Sequence, residues 1–144
     1  MVTEERRIEV RELLARVGAW AARRPDVVAV VLVGSWARGH ATMGSDVDLV
    51  VLTAMKDLYL GDESWVRELG GLRIIRTQEW GPTTERRFAL PSGLEVEVGL
   101  TPASWAATDP VDPGTRRVVR DGMSTLYDPG GLLERLAEAC RQSP

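Results

Sequence analysis

The chain has 144 residues, 44% of them apolar and 27% charged, with 18 basic against 21 acidic side chains and a formal net charge of −3. That length supports one core and a single domain spanning 1–144, and the acidic balance argues against bulk binding of duplex nucleic acid, which calls for a basic excess. One cysteine, Cys140, and one histidine, His40, exclude a disulfide framework, a cysteine-built zinc site and any multi-histidine metal centre, so catalysis is expected from carboxylates.

Thr3 can cap a helix whose first turn holds Glu4 and Glu5, and Ile8, Leu13, Leu14, Val17, Trp20 and Ala21 recur at helical spacing before Pro25. This predicts an amphipathic helix over Thr3 to Arg24. Val27 to Val33 is apolar on both faces and reads as a buried central strand. A glycine-containing stretch, Gly34 to Ser45, leads to a second strand at Val47 to Leu52. Ser64 to Leu69 is expected to make a turn or two of helix, and Leu72 to Thr77 a strand. Gly81-Pro82-Thr83 signals a turn. Arg86 to Leu90 and Leu94 to Leu100 read as a hairpin across Pro91-Ser92-Gly93. Ser104 to Ala107 and Thr115 to Met123 turn helical again, with Asp112 as a cap. A short strand, Thr125 to Tyr127, precedes a last helix over Leu132 to Arg141. The order predicts an α/β fold, a mixed sheet flanked by helices. Residues 1–7 lack an apolar core for a secretory signal, and no apolar run is long enough to span a bilayer, so a cytoplasmic protein with no membrane partner is expected.

The chemistry concentrates in Val33-Gly34-Ser35-Trp36-Ala37-Arg38-Gly39 and Ser45-Asp46-Val47-Asp48. Gly34 ends a strand and lets the chain turn without a Cβ. Ser35 is placed at the N-cap of a short helix, where its hydroxyl and the free amides suit phosphates. Asp46 and Asp48 stand two apart on a strand, so both carboxylates project from one face. Two like charges held together call for a cation, and hard oxygen ligands suit Mg²⁺. In Leu94 to Leu100, Glu95, Glu97 and Gly99 share one face. If that strand lies beside the aspartate strand, one of the two glutamates completes a site for two metal ions, or for one metal and a base.

Gly34-Ser35, a ten-residue spacer, Asp46-Val47-Asp48 and the distant glutamate strand resemble the signature of the polymerase-β-like nucleotidyltransferase superfamily. The spacing and the Ala37-Arg38-Gly39 continuation are similar to the minimal nucleotidyltransferases. The resemblance implies that Asp46 and Asp48 bind one or two Mg²⁺ ions and that Gly34 and Ser35 hold the β,γ-phosphates of a nucleoside triphosphate, with ATP expected. The third carboxylate would bind a second metal or deprotonate the acceptor. The Leu94-Glu95-Val96 triplet resembles the corresponding strand of aminoglycoside adenylyltransferases, which puts Glu95 ahead of Glu97 for the catalytic and metal-binding role.

Other residues have competing uses. Arg38 either clamps the triphosphate or lies on the helix surface, and Ser45 either touches nucleotide or orients the loop. His40, in the loop between the two motif halves, either contacts nucleotide or is a surface loop residue. Arg86 and Arg87 point to opposite faces, so one of them faces the site and offsets carboxylate charge, holds the acceptor or pairs with Glu95 or Glu97. Trp20 fits the core and Trp36 either joins the core or stacks on nucleotide, while Trp80 or Trp105 is placed to line an acceptor pocket. The expected reaction moves a nucleoside monophosphate to a hydroxyl acceptor such as an aminoglycoside-like molecule. The alternatives are an antitoxin that modifies a partner toxin protein and a non-catalytic nucleotide-binding module. A catalytic core of this size implies a shallow acceptor pocket, or one completed by a homodimer mate or partner protein.

Overall fold

Thr3 accepts a hydrogen bond from the Arg6 amide at 3.1 Å and opens α1 (Glu4–Ala22) in the computed structural model, which describes residues 1–142. The elements that follow are β1 (Val27–Val33), α2 (Gly34–Arg38), β2 (Val47–Thr53), α3 (Leu58–Gly61), α4 (Ser64–Glu68) and β3 (Ile74–Trp80). The chain continues through β4 (Thr83–Ala89), β5 (Glu95–Thr101), a 3-10 turn (Ala103–Ala106), α5 (Pro113–Asp121), β6 (Ser124–Tyr127) and α6 (Leu132–Gln142). One six-stranded sheet has the order β3-β4-β5-β2-β1-β6. β2 and β5 run parallel; every other neighbouring pair is antiparallel.

Alternation along the central strands divides the core into two layers. Val47, Leu49 and Val51 face Val10, Leu13, Val17 and Trp20 of α1 together with Tyr59 and Trp65. Edge-on aromatic contacts tie that layer together, with centroids 5.9 Å apart for Trp20–Tyr59 and 6.0 Å for Trp65–Phe88. Ala29, Val31 and Leu52 face the other way, against Leu133, Leu136 and Cys140 of α6 and against Ala106 and Val111. Asp48 shares that second face, so the same alternation that buries Leu49 turns the carboxylate into an opening beyond the reach of α6.

The expected strand β1 has the limits observed, and the hairpin across Pro91-Ser92-Gly93 is present as β4 and β5. α1 stops at Ala22 rather than Arg24, because the amides of Arg23 and Arg24 turn back to the carbonyls of Trp20 and Ala21 at 3.1 and 3.0 Å. The helix expected at Ser104 to Ala107 is a single 3-10 turn at Ala103–Ala106, and the strand expected at Leu72 to Thr77 lies at Ile74–Trp80, where antiparallel pairing with β4 sets its register. α3 has no counterpart in the sequence reading. No helix among the described residues is long and apolar enough to cross a membrane.

Candidate active site

β1 delivers the chain to Gly34 at φ 76°, a left-handed conformation that only glycine adopts without strain. A Cβ there would run into the Asp48 carboxylate, whose Cγ would lie 3.1 Å away. Gly34 therefore does two things: it turns the strand into α2 and it leaves room for Asp48. Against expectation, the N-cap of α2 is Val33, not Ser35; the turn begins one residue earlier at the glycine, and Ser35 lies within the helix. Arg38 ends α2 on the surface, and His40 is exposed in the loop beyond. The Ser45 hydroxyl accepts from the Thr42 amide at 2.9 Å, so it orients the loop that delivers Asp46.

Asp46 immediately precedes β2 and Asp48 lies within it. The parallel register sets Asp48 beside Glu97, and Val33 of β1 lies on its other side. Among the described residues no hydrogen bond or ion pair reaches the Asp48 carboxylate. Burial, then repulsion from Asp46 and Glu97, raises its pKa from 3.8 to about 6, with Arg87 attracting in the opposite sense. The Glu97 side chain is 11% exposed, whereas the Glu95 side chain keeps 45% of its surface in solvent.

Arg86 and Arg87 do face opposite ways. Arg86 is buried and donates to the carbonyl of Tyr59 at 2.7 Å and to Thr77 Oγ1 at 3.1 Å, pinning β4 to α3 and β3. Arg87 faces the carboxylates. Its Nη2 lies 2.7 Å from Asp46 Oδ2, Nη1 2.9 Å from Glu95 Oε1 and Nε 2.8 Å from Glu97 Oε2. Burial works against the Arg87 charge, but Glu95, Glu97 and Asp46 outweigh it and raise its pKa further. Arg76 of β3 adds a second cation 3.4 Å from Glu97 Oε1.

Two cavities meet these side chains. One, of about 420 Å³, is lined by Asp48, Glu85, Glu97 and Gly99 and walled by Trp80 and Trp105. Its lining continues through Trp80, Thr83 and Trp105 into a pocket of about 380 Å³ that includes Thr101, Ser104 and Asp112. The other cavity, of about 300 Å³, holds Ser45, Asp46, Arg87 and Glu95 with Arg6 of α1. Glu85 is an acid the sequence reading passed over. Its place two residues from Arg87 on a strand puts it on the site face, and Trp80 Nε1 donates to it at 2.6 Å. Both tryptophans expected to line a pocket do so, while Trp20 is buried and Trp36 packs half-buried against the α1 layer.

Mg²⁺ can be held here by Asp46 and Asp48: Asp48 is an orphaned carboxylate, and only one oxygen of Asp46 is bonded to Arg87. A ring of three acids around one ion is not assembled among the described residues. Two protein carboxylates suffice where phosphates and water complete the shell.

Residues 17–79 match the nucleotidyltransferase domain family. None of the curated proteins matches the chain. Among solved structures, an aminoglycoside 6-adenyltransferase from Bacillus subtilis superposes with a TM-score of 0.51 at 15% identity, covering 67% of this chain and 36% of that one. A cytoplasmic RNA terminal U-transferase gives 0.52 at 19% identity, with 69% and 30% covered. A poly(U) polymerase gives 0.51 at 20% identity, with 69% and 32% covered. The chain spans about a third of the length of these proteins. With Gly34 clearing space for Asp48 and the aspartate strand parallel to a glutamate strand, the chain has the nucleotidyltransferase fold of these structures.

Proposed function

We propose that the protein transfers a nucleoside monophosphate, AMP in the first instance, from a nucleoside triphosphate to a hydroxyl group of a small ring-bearing acceptor. The observation that carries this reading is Asp48: a carboxylate with no partner, beside Asp46 and Glu97, in a cleft that Gly34 keeps open for it. Mg²⁺ bound to Asp46 and Asp48 would neutralise the triphosphate and the departing pyrophosphate. Gly34 and Ser35 contribute the first amides of α2, which no helical carbonyl takes up, toward the phosphates, and Arg38 closes on them from the last turn. The acceptor oxygen forms its bond to the α-phosphorus as the bond to pyrophosphate breaks, and its proton passes to a carboxylate.

Of the two candidate glutamates, Glu97 suits that third role better than Glu95. It stands beside Asp48 in the register and lines the same cavity, while Glu95 opens into the other one. The acceptor class follows from the trough that leads away from Asp48. Every ionisable side chain lining it is an acid (Asp48, Glu85, Glu97, Asp112), Trp80 and Trp105 offer ring faces, and Thr83, Thr101 and Ser104 offer hydroxyls. A polyhydroxylated ring carrying amino groups matches that lining, through charge, cation–π contact and hydrogen bonding.

The test is incubation with α-³²P-labelled ATP, Mg²⁺ and cell lysate, alongside a panel of amino sugars. A labelled small molecule formed by the wild type and not by Asp46→Asn supports the proposal. A labelled protein band would move the acceptor to a partner protein. Absence of label from all four nucleoside triphosphates would remove the transferase reading.

A further inference from the structure

Arg87 pairs with three carboxylates at once. One guanidinium reaches Asp46, Glu95 and Glu97 at 2.7, 2.9 and 2.8 Å, and its side chain is only 17% exposed. Asp46 and Glu95 line the smaller cavity and Glu97 the larger, so the guanidinium joins the carboxylates of both. A planar fork of five donors is suited to such multiple pairing. It also occupies oxygens that a metal would use. A dication between Asp46 and Asp48 would meet a like charge bonded to one of its own ligands, and the two repel over these distances.

We propose that Arg87 is a resident counter-ion that competes with a divalent cation for Asp46 and Glu97, so that metal loading requires the guanidinium to withdraw from them. This rests on the reading that Asp46 and Asp48 hold the ion. Glu95 gives the displaced guanidinium somewhere to go: it is the most exposed of the three partners and opens into the cavity that Arg87 already lines. Glu95 is then the holding partner for Arg87, and the metal side of the site belongs to Asp46, Asp48 and Glu97. Arg87 sets how much cation is needed to load the site, and a phosphate-bearing substrate favours loading by offering the guanidinium a second anion.

Mn²⁺ binding, counted by electron paramagnetic resonance and by calorimetry without nucleotide, tests this. Arg87→Gln is expected to bind Mn²⁺ at least tenfold more tightly than wild type, and Arg87→Lys, which keeps the charge but not the fork, at least threefold. Affinity unchanged or weakened in Arg87→Gln would overturn the proposal. If that variant does not fold by circular dichroism, Arg87→Lys decides it by the same comparison. Asp48→Asn separates the two readings. Binding that needs Asp48 but ignores Arg87 removes only the counter-ion role; no Mn²⁺ binding by wild type, Arg87→Gln or Arg87→Lys removes the metal reading as well.

Discussion

Replacing Asp48 by asparagine keeps the shape of a half-buried side chain while removing a charge that nothing neutralises within contact distance. In the folded protein that charge forms only above a pKa of about 6, against 3.8 for a free aspartate. Between those two values the unfolded chain has lost the proton that the native state keeps, so stability falls as pH rises through this window and stays lower above it. At ~1.4 kcal/mol per pH unit the full effect is about 3 kcal/mol, and solvent screening of a side chain this exposed reduces it to about 1–2 kcal/mol. Asp48→Asn is therefore expected to melt about 3–6 °C above wild type at pH 8. At pH 4.5, where native Asp48 already holds its proton, the gap is expected to fall below half of that. Mg²⁺ is expected to raise the wild-type melting temperature at pH 8 and to leave the variant unmoved. Thermal melts followed by circular dichroism at the two pH values measure all three. A variant that melts below wild type at pH 8 would show that the Asp48 carboxylate is a stabilising partner in the fold, and the argument for a waiting cation site would fail.

Gly34→Ala adds a Cβ against the Asp48 carboxylate at a positive φ, so it is expected to cost about 1–3 kcal/mol in urea denaturation and to abolish transfer. Arg86→Ala strands the Tyr59 carbonyl that the guanidinium now satisfies, and is expected to lower stability by about 2–4 kcal/mol in the same assay. Trp105→Ala opens the trough without touching a carboxylate; steady-state kinetics on an accepted amino sugar are expected to show KM raised about tenfold and kcat within about twofold, since a lost cation–π and packing contact is worth ~1–2 kcal/mol. Asp112→Ala removes the side chain that accepts from the Thr115 amide at 3.0 Å, and thermal melts are expected to show a loss of about 1 kcal/mol.

Much of this architecture is legible in local pattern because its signals are local. β1 is framed by Pro25 and Gly34, and its uninterrupted apolar run, mostly valine, leaves little else it can be. Asp46 and Asp48 are readable as a pair because a two-residue step returns to the same strand face. The same step hides the difference between Glu95 and Glu97, which share a face; only the long-range pairing of β5 with β2 decides which of them stands beside Asp48. Arg87 follows the same rule. Its side is predictable from Arg86, but its three partners come from β5 and from the residue just before β2, brought together by the sheet order. α3 is too short to show a helical period, and the early start of α2 depends on the positive φ of Gly34 rather than on the identity of Ser35.

The claim at the centre is that Asp46 and Asp48 hold a metal-bound nucleoside triphosphate. Calorimetric titration with α,β-methylene-ATP, which cannot transfer its AMP, tests this without knowledge of the acceptor. Wild type is expected to bind it with Mg²⁺ present and at least tenfold more weakly without, and Asp46→Asn and Asp48→Asn are expected to lose that Mg²⁺ dependence. Binding that is indifferent to Mg²⁺ and to both aspartates would contradict the claim.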